Sequence, residues 1–257
     1  MTVTVLQTDI VWADYEENIR RAELLLQTAP KSDMYVLPEM WSTGFMTESV
    51  VDDKQATLRW MQKTASQCGA AVCGSVPTAV APLQGDGRPA IVNRFYFVCP
   101  DGKTEFYDKR HLFTFGGEDK VYTAGRERKI VEFGGLRFLL LTCYDLRFPV
   151  WSRNQGDFDA IIYIASWPAA RIKAWDILLR ARAIENQCFV IAANRIGTDD
   201  KNLYPGHSVV LDAKGNEISR YYAENQQIMT ADVDKDALFA FRNKFRVLDD
   251  GDSFIIT

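Results

Sequence analysis

The chain has 257 residues, 47% hydrophobic and 25% charged, with a formal net charge of −4. That length and balance suit a globular α/β protein, and an acidic chain without a basic block argues against nucleic acid as a partner. No apolar run is long enough to span a bilayer, the first residues lack the basic start of a secretory leader, and five cysteines (Cys68, Cys73, Cys99, Cys143, Cys188), an odd count, read as reduced thiols of a cytoplasmic protein.

In chain order, residues 2–8 alternate and are rich in Val and Thr, which predicts a strand. Asp14 is placed to cap a helix over residues 15–28, with Glu16 and Glu17 in its first turn and Pro30 after its end. A short buried strand over 34–41 is stopped by Pro38 and followed by Glu39. A helix over 53–67 and a strand over 70–76 come next, then a Pro- and Gly-rich exposed loop, 82–89. Strands 91–99 and 103–107 make a hairpin on Pro100–Asp101–Gly102, with Lys109 just beyond it. Residues 111–125 have no clear period and read as an ordered loop holding Glu118 and Asp119. A second hairpin, 129–133 with 136–143, turns on Gly134–Gly135. A short helix is expected over 149–155, a strand over 159–166, a helix over 174–187 and a strand over 188–195. A third hairpin, 207–212 with 217–222, turns on Lys214–Gly215–Asn216, and a strand over 227–234 precedes a polar tail from about residue 235. Strands alternate with helices and hairpins throughout, without a linker, so the pattern favours one domain of paired mixed sheets with helices outside.

Three strand ends carry an unexpected polar residue: Glu39, Lys109 and Cys143. In open α/β sheets the carboxyl ends of strands border the crevice where chemistry is done. A thiol needs a base or a lowered pKa to become a nucleophile, a carboxylate can be that base, and an ammonium can hold a developing oxyanion. Each residue also has a plainer alternative: Cys143 as a small core side chain, Glu39 as an exposed loop acid, Lys109 as a solvated partner of Asp108. Spacing alone does not bring three distant residues together.

The segments 37-LPEMWSTGF-45, 107-YDKRHLF-113 and 141-LTCYDLRFP-149 resemble, in order and separation, the three signature motifs of the nitrilase superfamily of carbon–nitrogen hydrolases. The resemblance runs from the first strand to about Asp234. It implies a four-layer αββα sandwich, a Glu39–Lys109–Cys143 site, no metal or cofactor, and a homodimer. It also implies a second glutamate in the loop after the lysine motif, which Glu118 matches; its alternative is a solvated carboxylate beside Asp119. Within the superfamily, 107–113, 143-CYDLRFPVWSRN-154, 166-SWPAAR-171 and 180-RARAIENQ-187 resemble the bacterial omega-amidase branch. That branch hydrolyses the terminal amide of 2-oxoglutaramate and 2-oxosuccinamate. Two departures touch substrate preference: Ser166 where branch members often have Asn before Trp-Pro, and the local sequence 114-TFGGED-119.

On this resemblance the oxyanion donors are Lys109 and the backbone N–H of Tyr144. A 2-oxo acid substrate brings a carboxylate, for which Arg171 is the first candidate and Arg147 the second. Arg171 reads equally as a helix-entry charge, and Arg147 as a brace for the turn against Asp145 or Glu185. Trp41, Phe115, Tyr144 and Trp167 are candidates for the pocket wall, or else ordinary packing. Competing readings are an aliphatic amidase, an N-carbamoyl hydrolase or a nitrilase; a thiol hydrolase based on His111 or His207; and a zinc module on Cys68 and Cys73, for which no further ligands lie nearby in sequence.

Overall fold

The computed structural model describes residues 1–45, 55–81, 90–222 and 225–255. The strands in chain order are β1 (Thr2–Leu6), β2 (Met34–Val36), β3 (Ala71–Val80), β4 (Ala90–Val98), β5 (Thr104–Asp108), β6 (Ile130–Phe133), β7 (Leu136–Thr142), β8 (Ala160–Ala165), β9 (Phe189–Asn194), β10 (Ile196–Thr198), β11 (Leu203–Pro205), β12 (Val209–Leu211), β13 (Arg220–Tyr222) and β14 (Asn225–Asp232). The α-helices are α1 (Tyr15–Thr28), α2 (Ala56–Cys68), α3 (Ile172–Glu185) and α4 (Lys235–Lys244). A seven-stranded sheet has the order β13-β14-β1-β2-β3-β4-β5 and a five-stranded sheet the order β12-β9-β8-β7-β6.

Strand alternation builds the layers. Val3, Val5, Met34, Val36, Phe95 and Phe97 turn one face of the larger sheet onto the smaller one and share its apolar core. Their neighbours Leu6, Tyr35, Leu37, Tyr96 and Val98 turn the other face onto Ala22 and Leu25 of α1 and Met61 and Ala65 of α2. The central strands of the smaller sheet, β7 to β9, are parallel and buried on both faces, which explains their continuous apolar runs. Trp175, Leu179 and Ala183 of α3 cover its far side. The result is the expected four-layer αββα sandwich.

Boundaries mostly match expectation. Asp14 accepts from the Glu17 N–H at 3.0 Å and starts α1. The loop 82–89 and residues 53 and 54 lie outside the described residues. Four readings need correction. The short helix expected over 149–155 is absent; a 3-10 turn covers Cys143–Arg147 instead. Asp145 caps it by accepting the Thr142 N–H at 3.0 Å, and Pro149 biases Phe148 towards an extended backbone that ends it. The third hairpin pairs only next to its turn, where the Asp212 N–H donates to Asn216 O and the Ile218 N–H to Val210 O, each at 2.9 Å. Beyond that point the chain leaves the smaller sheet, and β13 pairs with β14 in the larger one. Alternation specifies a face, not a partner, so both pairings fit the same pattern. The β10–β11 ribbon was not anticipated.

The polar tail is the fourth correction, because α4 occupies it. Asp234 caps that helix, Leu238 enters the core, and Arg242 donates to Asp159 at 2.7 Å and to the Phe158 and Gln187 carbonyls. Asp159 also accepts from Arg137 at 2.9 Å, so one carboxylate fastens α4 to the start of β8. Burial alone would raise the Asp159 carboxyl, but the bonds from Arg137 and Arg242 outweigh it and hold it below the usual aspartate value. A depressed carboxyl stabilises the fold at pH values above its unfolded pKa of about 4 and loses that contribution as the pH falls. Arg137 is 35% exposed, which discounts the pairing. Asp159→Asn should therefore cost about 2 kcal/mol at pH 7. The deficit relative to the parent should shrink below about pH 4, as read by urea unfolding at several pH values.

Candidate functional site

The carboxyl ends of the parallel strands gather at one edge. Glu39 follows β2, Cys143 follows β7, Ser166 and Trp167 follow β8, and Arg195 follows β9. β5 runs in the direction of β3, since each is antiparallel to β4, so Lys109 emerges at the same edge. A cleft of about 860 Å³ opens there, with Glu39, Lys109 and Cys143 in its lining.

At its floor the Lys109 ammonium lies between two carboxylates, all three side chains fully buried. It donates to Glu39 Oε1 at 2.9 Å and to Glu118 Oε1 and Oε2 at 3.0 and 2.8 Å. Burial works against the Lys109 charge, but Glu118 and Glu39, with Cys143 behind them, outweigh it and keep the ammonium well above the ordinary lysine value. Burial also pushes the Glu118 carboxyl up, Lys109 pulls it back and the charge of Glu39 adds to the rise. Glu39 is fixed on its other side by the Ser166 N–H, which donates to Oε2 at 2.9 Å, and the Ser166 hydroxyl donates to the Glu39 carbonyl at 3.3 Å. Glu118 is fixed by the Phe113 N–H at 2.6 Å. The alternatives of an exposed Glu39 and a solvated Lys109 or Glu118 do not describe this arrangement.

Cys143 comes from the opposing sheet. Its φ is +47°, a left-handed backbone that a non-glycine residue adopts only when its surroundings impose it. The surroundings are centred on Asp145, which is fully buried. Asp145 accepts from the Tyr107 hydroxyl at 2.8 Å, the Thr142 N–H at 3.0 Å and the His111 N–H at 3.0 Å, with His111 Nδ1 at 2.8 Å. Cys143 is half-buried and lines the cleft. Burial pushes its thiol well up, the negative charge of Glu39 and a hydrogen bond with it add to the rise, and Lys109 opposes it. The sulfur thus lies in surroundings that favour the thiol over the thiolate. Tyr144 follows in the first turn of the 3-10 segment, where N–H groups have no earlier partner within the turn.

Of the residues offered for the pocket wall, Phe115, Tyr144 and Trp167 line the cleft, and so do Arg147 and Arg171. Phe115 is 88% exposed at the mouth. Trp41 does not line it. Met40 has a φ of +51°, which turns the chain so that Trp41 enters the layer between the larger sheet and α2. There its ring lies 4.9 Å from that of Trp60, and a Cβ on Gly74 would come within 2.7 Å of it. Arg147 sits over the Trp167 ring at 5.1 Å and Arg171 over the Phe113 ring at 5.0 Å. Neither has a carboxylate within ion-pair distance among the described residues, so Arg147 does not brace Asp145 or Glu185; Arg182 pairs with Glu185 at 3.0 Å.

The histidines serve elsewhere. His111 stacks on Phe148 at 3.7 Å and bonds Asp145, while His207 bonds Asp176 on α3. Cys73 is a core thiol within β3 and Cys68 closes α2. Sequence reasoning missed Asn93, whose side-chain amide donates to Glu39 and Glu118, and Arg195 and Phe45 in the cleft lining. The signal for Asn93 was present: an amide inside an apolar strand, where Asn is a depleted residue type.

The carbon–nitrogen hydrolase family model matches residues 2–243. The omega-amidase YafV of Yersinia enterocolitica is 43% identical over 259 residues, spanning 100% of this chain and 98% of the relative. The 2-oxoglutaramate amidase of Bacillus subtilis is 34% identical over 258 residues, covering 97% and 96%. Among solved structures, a CN-hydrolase superfamily protein of Xanthomonas campestris with an arsenic adduct in its active site superposes with a TM-score of 0.90 at 39% identity, covering 100% of this chain and 99% of the other. A family model over nearly the full length, on a sandwich whose strand ends converge on one cleft, establishes that the chain belongs to the carbon–nitrogen hydrolase family.

Proposed function

We propose that the protein is an omega-amidase: it hydrolyses the terminal amide of small 2-oxo dicarboxylic acid monoamides, 2-oxoglutaramate and 2-oxosuccinamate, to the 2-oxo acid and ammonia. The observation that carries this reading is the pairing, within one cleft, of a thiol beside a buried carboxylate–ammonium cluster with two guanidinium heads that have no acid partner among the described residues. Full-length similarity to omega-amidases and a 2-oxoglutaramate amidase supports the substrate class.

In the proposed reaction Cys143 Sγ attacks the amide carbon while its proton passes to Glu39. The oxyanion is held by Lys109 Nζ and the Tyr144 N–H, donors of a kind worth roughly 3–4 kcal/mol each. The C–N bond breaks, Glu39 returns the proton to the leaving nitrogen, and ammonia departs, leaving a thioester on Cys143. Glu39 then takes a proton from water as it attacks the thioester. The C–S bond breaks, the sulfur regains that proton, and the 2-oxo acid is released. Glu118 keeps Lys109 charged and orients the substrate amide or the water. Arg171 binds the distal carboxylate, seconded by Arg147, and Phe115, Tyr144 and Trp167 wall the acyl chain. The reading extends to one hydrolase domain over 1–257, a cytoplasmic location and a homodimer; five free thiols and the exposed Ile177 and Ile184 on α3 are consistent with the last two. No helix among the described residues is long and apolar enough to cross a membrane.

Cys143→Ala should abolish ammonia release without lowering the melting temperature, and full activity in that variant would reject the mechanism. Mass spectrometry of Glu39→Gln with substrate should place an acyl adduct on Cys143 and on none of the other four cysteines. Assays of 2-oxoglutaramate against glutamine, simple nitriles and ureido acids should favour the 2-oxo monoamide; preference for another class would replace the substrate assignment with a nitrilase, N-carbamoyl hydrolase or aliphatic amidase. Arg171→Ala should raise KM for 2-oxoglutaramate about 10- to 100-fold, the loss of a charge-assisted contact, and leave an uncharged amide unaffected.

A further inference from the structure

Asn93 lies within β4, fully buried, and no role assigned above uses it. Its amide nitrogen is 2.8 Å from Glu39 Oε1 and 3.3 Å from Glu118 Oε1. Its backbone carbonyl accepts the Lys109 N–H at 3.0 Å, so one residue touches three members of the cluster. Its Oδ1 is sealed from solvent without a hydrogen-bond partner. The amide cannot be reversed, because the oxygen would then face two carboxylates. An orphaned buried acceptor in a residue type ill suited to strands is a cost that folding alone does not explain.

Counting donors supplies a reason. The Lys109 ammonium donates to Glu39 Oε1 and to both oxygens of Glu118, which can share one proton, so its donors are directed chiefly at the two acids. An oxyanion forming on the substrate needs one of those donors. Turning it away takes one donor from a buried carboxylate oxygen, which is unfavourable unless another donor remains. Two of the three oxygens, Glu39 Oε1 and Glu118 Oε1, are the ones Asn93 already reaches.

Resting on the function proposed above, we propose that Asn93 is a positioning residue that keeps those carboxylate oxygens bonded when Lys109 swings a proton to the oxyanion. No covalent bond changes in this step; donors are redistributed between two side chains.

The charged and titratable groups around Asn93 are Glu39, Lys109, Glu118 and Cys143, with the Tyr122 phenol nearby. In Asn93→Ala, kcat should fall about a hundredfold with KM within about threefold, since the lost donor is needed most in the transition state. The acid limb of kcat/KM should move up by about one pH unit, because Glu118, which burial already raises, loses a donor that favours its ionised form. Asn93→Asp donates only when protonated, so its activity should rise as the pH is lowered from 7, opposite to the parent. The pH dependence of Cys143 alkylation by iodoacetamide, read by intact mass, should show the same upward limb shift in Asn93→Ala without any amide turnover. A lowered melting temperature with an unmoved acid limb, or an unchanged kcat, overturns the proposal. If Asn93→Ala does not fold, Asn93→Asp decides, and absence of the gain on acidification overturns it. Should the parent release no ammonia from any amide while the alkylation limb still shifts, the omega-amidase reading fails and the donor role of Asn93 stands.

Discussion

The rest of the site depends on one buried ammonium held between two carboxylates. Burying Lys109, Glu39 and Glu118 together removes three charges from water, and such a cluster is tolerable only if every member is paired. Glu39 arrives from the end of β2, Lys109 from the end of β5 and Glu118 from the loop beyond, so the cluster forms only when the larger sheet is assembled. With two acids against one ammonium, the cluster has more carboxyl groups than cations to pair them. That excess has a chemical consequence for the sulfur facing it: a thiolate beside Glu39 would add to the excess, and the Cys143 thiol is held well up. In the proposed mechanism, attack by Cys143 is therefore coupled to proton transfer, rather than starting from a preformed thiolate as in thiol hydrolases built on an imidazolium.

The second sheet solves a separate problem, which is to aim the sulfur. The left-handed backbone at Cys143 costs on the order of 1–3 kcal/mol. Asp145 offsets it by accepting from Tyr107 of β5, from Thr142 at the end of β7 and from His111 beyond Lys109. Hydrogen bonds to an ionised group are worth roughly 1.5–3 kcal/mol each, enough to impose the turn. Two of the donors flank Lys109 in sequence. The chain that delivers the ammonium therefore also clamps the nucleophile's turn, and movement of one sheet against the other would disturb both.

The sequence carried the strand ends well because each is a sharp change from an apolar run to a polar residue. Glu39, Lys109 and Cys143 could be named that way, but only family resemblance joined them, since proximity in space has no trace in spacing. Trp41 was misplaced because an aromatic residue two positions past a candidate acid looks like pocket wall, whereas the positive φ at Met40 sends it into the core. Asn93 escaped notice because its importance lies in which acids it touches across strands. The tail was mistaken for the converse reason: α4 has only ten residues, and Leu238 in the core and Arg242 on Asp159, Phe158 and Gln187, which hold it, are tertiary contacts.

Charge placement in the cleft supports the proposed binding of a substrate with a distal carboxylate. Arg195 also lines the cleft, yet its guanidinium donates to the Ile10 carbonyl at 2.9 Å, lies 3.7 Å from Asp9 and stacks over Tyr204 at 4.3 Å, so its charge is largely committed. Asp9, Asp199 and Asp200 line the cleft with it and would repel an anion on that flank. Arg147 and Arg171 lie over the aromatic faces of Trp167 and Phe113, without acids of their own among the described residues. A guanidinium held against a ring keeps its edge donors free for a bidentate carboxylate. The cleft is thus uneven in charge: arginines without acid partners on the flank formed by the turn after Cys143 and the entry to α3, and acids interleaved with Arg195 and Lys201 on the flank of the β10–β11 ribbon. In the proposed function, a monoamide with one carboxylate has a favoured orientation in such a field, with its acid at Arg171 and its amide directed to the sulfur. An amide lacking that carboxylate gains nothing from either arginine and has no comparable electrostatic reason to align.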